Sequence, residues 1–122
     1  MKILICAYRE WALKIAYCFN ATVVTSKEEL DVEKIKPDVI FFLGWSWMVP
    51  ESITEKYLCI CLHPSPLPKY RGGSPIQNQI IAGETTSAVT LFRMNQSLDG
   101  GEIYFQEEIS LEGYLNEILD RI

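Results

Sequence analysis

The amino-acid sequence predicts an α/β protein with a mostly parallel sheet and helices on both of its faces. Short apolar runs alternate with segments of helical spacing, and several of the runs are continuously apolar, as strands covered on both faces are. The extent follows from size. With 122 residues, 48% of them apolar, the chain suits one domain over residues 1–122 around a single core.

The elements follow in order. Lys2 to Ala7 is an apolar run and predicts a buried strand, and Trp11, Leu13, Ile15, Ala16 and Phe19 give Glu10 to Phe19 helical spacing. Ala21 to Thr25 is rich in β-branched residues and predicts a second strand. Ser26, with Glu29 three residues on, has the capping-box pattern of a short helix that Pro37 ends. Asp38 to Leu43 and Lys56 to Leu62 are two more apolar strands, separated by the loop Gly44-Trp45-Ser46-Trp47-Met48-Val49-Pro50 and a short helix starting near Pro50. Up to this point the pattern is a doubly wound α/β unit. Beyond a proline- and glycine-rich loop from Pro64 to Gly73, the expectation is a helix over Ser74 to Ala82, strands over Ala88 to Met94 and Glu102 to Ile109, and a terminal helix from Tyr114 to Ile122.

Composition narrows the function. The opening apolar run is shorter than the ~7 to 15 residues of a signal-peptide core, and no run reaches the ~18 of a membrane span, so a soluble, cytoplasmic protein is expected. Cys6, Cys18, Cys59 and Cys61 are then expected as free thiols. A net charge of -5 argues against a broad nucleic-acid surface, leaving Lys69 and Arg71 as a local basic pair. The first turn, Ala7-Tyr8-Arg9-Glu10, carries no glycine, so the Gly-x-Gly-x-x-Gly pattern that brings a pyrophosphate close to a backbone is missing. NAD or FAD is not expected.

Two stretches carry candidate chemistry. In Cys61-Leu62-His63-Pro64-Ser65-Pro66-Leu67-Pro68-Lys69-Tyr70-Arg71-Gly72-Gly73-Ser74-Pro75-Ile76-Gln77, the single histidine of the chain closes a buried strand, at the kind of strand end where open α/β sheets bind ligands. Histidine there can serve as acid, base or hydrogen-bond donor. In Met94-Asn95-Gln96-Ser97-Leu98-Asp99-Gly100-Gly101-Glu102, Asp99 sits between a strand and two glycines. Alone it is an ordinary turn aspartate; with His63 it makes a pair able to orient one another.

These residues carry a family resemblance. His63 to Gly72, continued by Ser74 to Gln77, resembles the active-site segment of folate-dependent formyltransferases, both the methionyl-tRNA enzymes and the amino-sugar N-formyltransferases. Ala88 to Met94 with Leu98 to Gly101 resembles the family's second signature, and the likeness runs from the first strand to Leu111. It implies a Rossmann-like fold of formyltransferase type without the glycine-rich turn. It implies transfer of a formyl group from N10-formyltetrahydrofolate to a primary amine, with no metal.

By the resemblance, His63 would donate to the oxyanion and Asp99 would orient the imidazole and help move the proton. The family's asparagine position holds Cys61, a weak donor on a shorter side chain. Losing one oxyanion donor typically costs ~10² to 10³ in turnover, so the activity would be weak or lost. Folate would lie against Trp45, Trp47, Met48, Val49, Met94 and Leu98. The acceptor would meet Tyr8, Lys69, Tyr70, Arg71, Gly72 and Gln77. The family domain continues beyond the segment that Tyr114 begins, so the chain reads as shortened at its C-terminal end. That length and the acidic charge favour the amino group of a nucleotide-linked deoxysugar over tRNA. The apolar face of Tyr114 to Ile122 would want cover, which makes a homo-oligomer an expectation.

Two rival readings stand beside this one. Cys59, Cys61 and His63 share one face of a strand and are zinc-ligand types, but such ligands are spread ~6.5 to 7 Å per pair of residues and do not converge on one ion. The other is a non-catalytic folate-binding relative, which Cys61 favours and which His63 and Asp99 oppose.

Overall fold

The computed structural model describes residues 1–95 and 100–122. Six strands form one sheet in the order β2-β1-β3-β4-β5-β6: β1 Ile3–Ala7, β2 Thr22–Val24, β3 Val39–Leu43, β4 Leu58–His63, β5 Thr86–Arg93 and β6 Ile103–Ser110. The first four run parallel. Parallel neighbours need crossovers, and these are supplied by α1 Glu10–Ala16, α2 Val32–Ile35 and α3 Glu51–Thr54. β5 runs antiparallel to β4, and β6 antiparallel to β5. Two further helices are α4 Pro75–Ile81 and α5 Leu115–Arg121.

The alternation of each strand divides the core. Leu4, Cys6, Ile40, Phe42 and Cys59 point to one face and meet Val32 of α2 and Ile53 of α3. Ile5, Ala7 and Leu43 point to the other and meet Trp11, Ala12 and Ala16 of α1. Burying one such large side chain, Phe42 for example, stabilises by about 1.5 to 3 kcal/mol. A smaller cluster joins Ile76 of α4 to Leu111 and Ile118. β1 lies between β2 and β3, so the direction of winding reverses there, and in open α/β sheets ligands bind at the carboxyl ends of the strands near such a point.

Several expected boundaries move, β5 for instance starting at Thr86 instead of Ala88, and three of the shifts have a visible cause. α1 stops at Ala16, because the chain tightens into i→i+3 bonds from Cys18 N to Ile15 O and from Phe19 N to Ala16 O; Phe19 ends exposed. The single helix expected after Ser26 is two pieces. Ser26 Oγ accepts from Glu29 N at 3.3 Å over one 3-10 turn, and then Asp31, itself a good cap, accepts from Lys34 N at 3.2 Å and starts α2. β4 begins at Leu58, two residues later than expected, because Tyr57 N still bonds Ile53 O at 3.0 Å. Among the described residues no helix is long and apolar enough to cross a membrane.

Candidate active site at the carboxyl end of the fourth strand

His63 is the last residue of β4, and alternation puts its side chain on the face shared by Cys59 and Cys61. It is 6% exposed, and Nε2 lies 2.8 Å from the carbonyl oxygen of Tyr70. A carbonyl can only accept, so Nε2 carries the proton, and in the neutral ring the lone pair sits on Nδ1.

The proline-rich loop holds itself in place. Ser65 N bonds His63 O at 3.0 Å, Leu67 N bonds Ser65 O at 2.9 Å, and Ser65 Oγ donates to Lys69 O at 2.7 Å. Tyr70 adopts a left-handed backbone, φ 57°, which is costly for a bulky residue and turns its carbonyl back to His63. Its hydroxyl donates to Glu84 Oε1 at 3.2 Å; burial, then that hydrogen bond and the carboxylate charge, push the phenol up.

Side chains absent from the expected set support this loop from behind. Gln79 of α4 is fully buried, donates from Nε2 to Pro64 O and Pro75 O, both at 2.9 Å, and accepts from Ser87 Oγ. Thr90, opposite His63 in the ladder, donates to Ser65 O at 2.7 Å, and Gln106 Nε2 meets Thr90 Oγ1 at 2.8 Å and Leu67 O at 3.2 Å. A signal existed for Gln79, which stands one helical turn from buried Ile76, and for Thr90, which shares the parity of Ala88 and Phe92.

Cys61 is half-buried between Phe42 of β3 and Phe92 of β5. Its thiol lies 3.7 Å from Leu62 O, a weak contact. Trp45, Val49 and Met94 pack on the same cluster, so four of the expected residues share one face. The backbone explains the last, since Met94 N bonds Cys59 O at 2.8 Å. Behind them burial pushes the Cys6 thiol up to about 12 and the Cys59 thiol up to about 11, the latter partly offset by Arg93.

The loop after β3 leaves the sheet through Gly44, φ 63°, and then alternates. Trp45, Trp47 and Val49 are partly covered, whereas Met48 is 93% exposed and joins none of the clusters. Met48 thus stands open to solvent at the loop while its neighbours pack inward, and its folate contact remains an expectation. The rings of Trp45 and Trp47 are 4.7 Å apart, and Tyr8 stands 5.0 Å from Trp47. Tyr8 and Ser46 share a hydroxyl hydrogen bond, and Arg9 Nη2 donates to Ser46 Oγ at 3.1 Å.

Lys69, Arg71 and Gln77 are exposed, and Gly72 takes a positive φ of 92°. Gln77 lies on the solvent side of α4, opposite in role to Gln79. Leu98 and Asp99 lie outside the described residues, so their assignments stand as expectations. Among the described residues no group of three or more His, Cys, Asp or Glu is placed to hold a metal ion. An open cleft of about 480 Å³ on the other face, lined by Leu62, Val89, Leu91, Phe105 and Ile122 among others, contains none of the expected site residues.

An open α/β sheet, a histidine anchored at the end of a central parallel strand and an adjoining apolar face define a Rossmann-like α/β domain with its candidate site at the carboxyl end of that strand. Residues 17–115 match the family model described as formyl transferase. The chain belongs to the formyl transferase family. Methionyl-tRNA formyltransferase of Rickettsia prowazekii (strain Madrid E) is 41% identical over 83 residues, 66% of this chain and 27% of that protein. The aligned stretch is thus about a quarter of the curated relative's length. The solved structure of methionyl-tRNA formyltransferase from Clostridium thermocellum is 34% identical with a TM-score of 0.92, covering 99% of this chain and 58% of that one. The formyltransferase PseJ from Anoxybacillus kamchatkensis, solved with UDP-4,6-dideoxy-4-formamido-L-AltNAc and tetrahydrofolate, shares the fold at 24% identity and a TM-score of 0.71, covering 99% and 71% of the two chains. The expectation against tRNA finds no support among these relatives.

Proposed function

We propose that the chain transfers a formyl group from N10-formyltetrahydrofolate to a primary amine, with His63 and Asp99 as its acid–base pair. The observation that carries this reading is the anchored imidazole: His63, fixed by Tyr70 O, on the same face as Cys61, Trp45, Val49 and Met94. The amine nitrogen attacks the formyl carbon and the carbonyl oxygen becomes an oxyanion. The carbon–N10 bond then breaks as the attacking nitrogen loses a proton and N10 gains one. With Nε2 held by Tyr70 O, the protonated imidazole would donate to the oxyanion. Asp99 orients the ring and helps carry the proton.

The folate would rest on Trp45, Trp47, Met48, Val49, Met94 and Leu98, apolar and aromatic residues suited to a pterin ring. Tyr8, Lys69, Tyr70, Arg71 and Gly72 lie on the acceptor side. Identity favours the amino group of methionyl-tRNA as acceptor, since relatives of that name reach 41% and 34% against 24% for the sugar enzyme. The net charge of -5 leaves room for this, because Lys69 and Arg71 are exposed cations flanking Tyr70, whose carbonyl meets His63. Labelled formyl transfer, measured with methionyl-tRNA and with a nucleotide-linked amino sugar in parallel, tests both. Turnover with tRNA alone supports the acceptor named here, turnover with the sugar alone overturns it, and no turnover by folded protein with either sinks the catalytic reading.

A second reading is favoured by Cys61, whose thiol replaces the amide donor. A non-catalytic folate-binding chain would bind a formyltetrahydrofolate analogue in a calorimeter and transfer nothing.

A further inference from the structure

His63 does not reach its anchor unaided. Tyr70 O is placed by the loop; the loop is pinned by Ser65, fully buried, whose hydroxyl holds Lys69 O at 2.7 Å next to that anchor. Ser65 is in turn fixed by Thr90, fully buried, whose hydroxyl lies 2.7 Å from Ser65 O. The direction of every proton in this chain is determined. Ser65 O can only accept, so Thr90 donates to it and can only accept from Gln106. Leu67 O also only accepts, so the group of Gln106 that meets both must be its amide nitrogen, at 2.8 and 3.2 Å. Thr90 is the ladder partner of both His63 and Gln106, so three adjacent strands carry the relay.

We infer that Thr90 and Gln106 are positioning residues for His63: the relay Gln106→Thr90→Ser65 sets the loop so that Tyr70 O captures Nε2 and fixes the tautomer of the ring. Thr90 lies within the second signature segment, Ala88 to Met94, but neither it nor Gln106 is among the residues expected to touch ligand. Gln106 stands on the last strand of the sheet, with its side chain largely open to solvent and its amide directed inward. A glutamine placed there only for solubility would have no reason to hold both Thr90 and a loop carbonyl. The inference rests on the functional reading above for its catalytic consequence, but not for its structural one.

The chain contains a single histidine, so the imidazole nitrogens give one set of ¹⁵N resonances and report ring state without any activity. In wild-type protein they should show the Nε2–H tautomer with a slowly exchanging ring proton. Thr90→Val keeps shape and removes the hydroxyl; Gln106→Glu keeps shape and removes the amide donor on a side chain open enough to be changed without disturbing the core. Either should shift the ring resonances toward a mixture of tautomers and speed exchange of the Nε2 proton at least tenfold. Thr90→Ser, which keeps the donor, should restore the wild-type spectrum. Formyl transfer in Gln106→Glu should fall about tenfold in kcat with KM changed less than twofold. Unchanged ring resonances in folded Gln106→Glu protein would overturn the relay. Absence of transfer by wild-type protein would instead count against the functional reading, and the spectra would still decide the relay.

Discussion

Nε2 of His63 and the carbonyl oxygen of Tyr70, seven residues apart, are joined by a hydrogen bond of 2.8 Å that commits one edge of the imidazole to the protein. That bond fixes the orientation of the ring on which the proposed transfer depends. His63→Ala should therefore lower the formyl-transfer rate by at least ~10² while leaving folate-analogue affinity within a few-fold, since the apolar wall is untouched. Single-turnover rates and calorimetry check this, and equal losses in both would mean that His63 only holds the loop.

Cys61 defines the second prediction. Its side chain is half-buried between two phenylalanines, and its thiol contact to Leu62 O, at 3.7 Å, is too long for a strong donor. Cys61→Asn supplies an amide two residues before His63 on the same face of β4. Transfer should rise by about 10² if the missing donor limits turnover, at unchanged KM for folate. No rise in a folded variant would favour the non-catalytic binder.

What could be read from the residues and what could not differ in kind. Apolar runs such as Val39 to Leu43 needed no tertiary information, because a strand buried on both faces is apolar at every position. His63 was legible because it closes such a run. The split between the Ser26 and Asp31 caps was not, since two adequate caps five residues apart compete and only packing of Val32 decides between them. Neither was Met48, whose exposure follows from the alternation of the loop after Gly44. Spacing signalled that Gln79 and Thr90 are buried, but the partners of Gln79, Thr90 and Gln106 were the least legible. Their role lies in carbonyls of a distant loop, and no local pattern encodes a side chain's partner 15, 25 or 39 residues away.

Gln79 should be a stability residue. It is fully buried, and its amide satisfies Pro64 O, Pro75 O and the hydroxyl of Ser87. Gln79→Leu conserves most of the volume but leaves those groups unpaired, at about 1 to 3 kcal/mol for each that water cannot reach. A loss of about 2 to 4 kcal/mol in urea unfolding is expected. A loss below about 0.5 kcal/mol would mean that the loop relaxes to re-pair them.

Gly44 follows β3 at φ 63°, and a Cβ added there would stand 2.7 Å from Cζ2 of Trp11. Both the left-handed backbone and the contact oppose a side chain. Gly44→Ala should cost about 1 to 3 kcal/mol and displace Trp11, visible as a change in its near-ultraviolet dichroism. An unchanged spectrum and midpoint would show that the indole yields freely.

Alkaline pH should unfold the protein through its buried thiols. Burial pushes Cys6 up to about 12 and Cys59 up to about 11, from an ordinary value of 9.0. The folded form therefore keeps protons that the unfolded chain gives up once pH passes about 9. Stability from this source is fully present below that pH and declines as pH rises toward the folded values, by up to about 1.4 kcal/mol per pH unit for each thiol. Urea midpoints from pH 8 to 10.5 should fall more steeply in wild-type protein than in Cys59→Ala, which has lost one titrating thiol. Comparing slopes within each protein removes the constant cost of the cavity the substitution leaves. The same burial keeps Cys6 and Cys59 unmodified by a disulfide reagent until unfolding, while exposed Cys18 reacts in the native protein ahead of half-buried Cys61. Equal slopes in the two proteins, together with modification of Cys59 in the folded state, would show that the strand opens to solvent well before it unfolds.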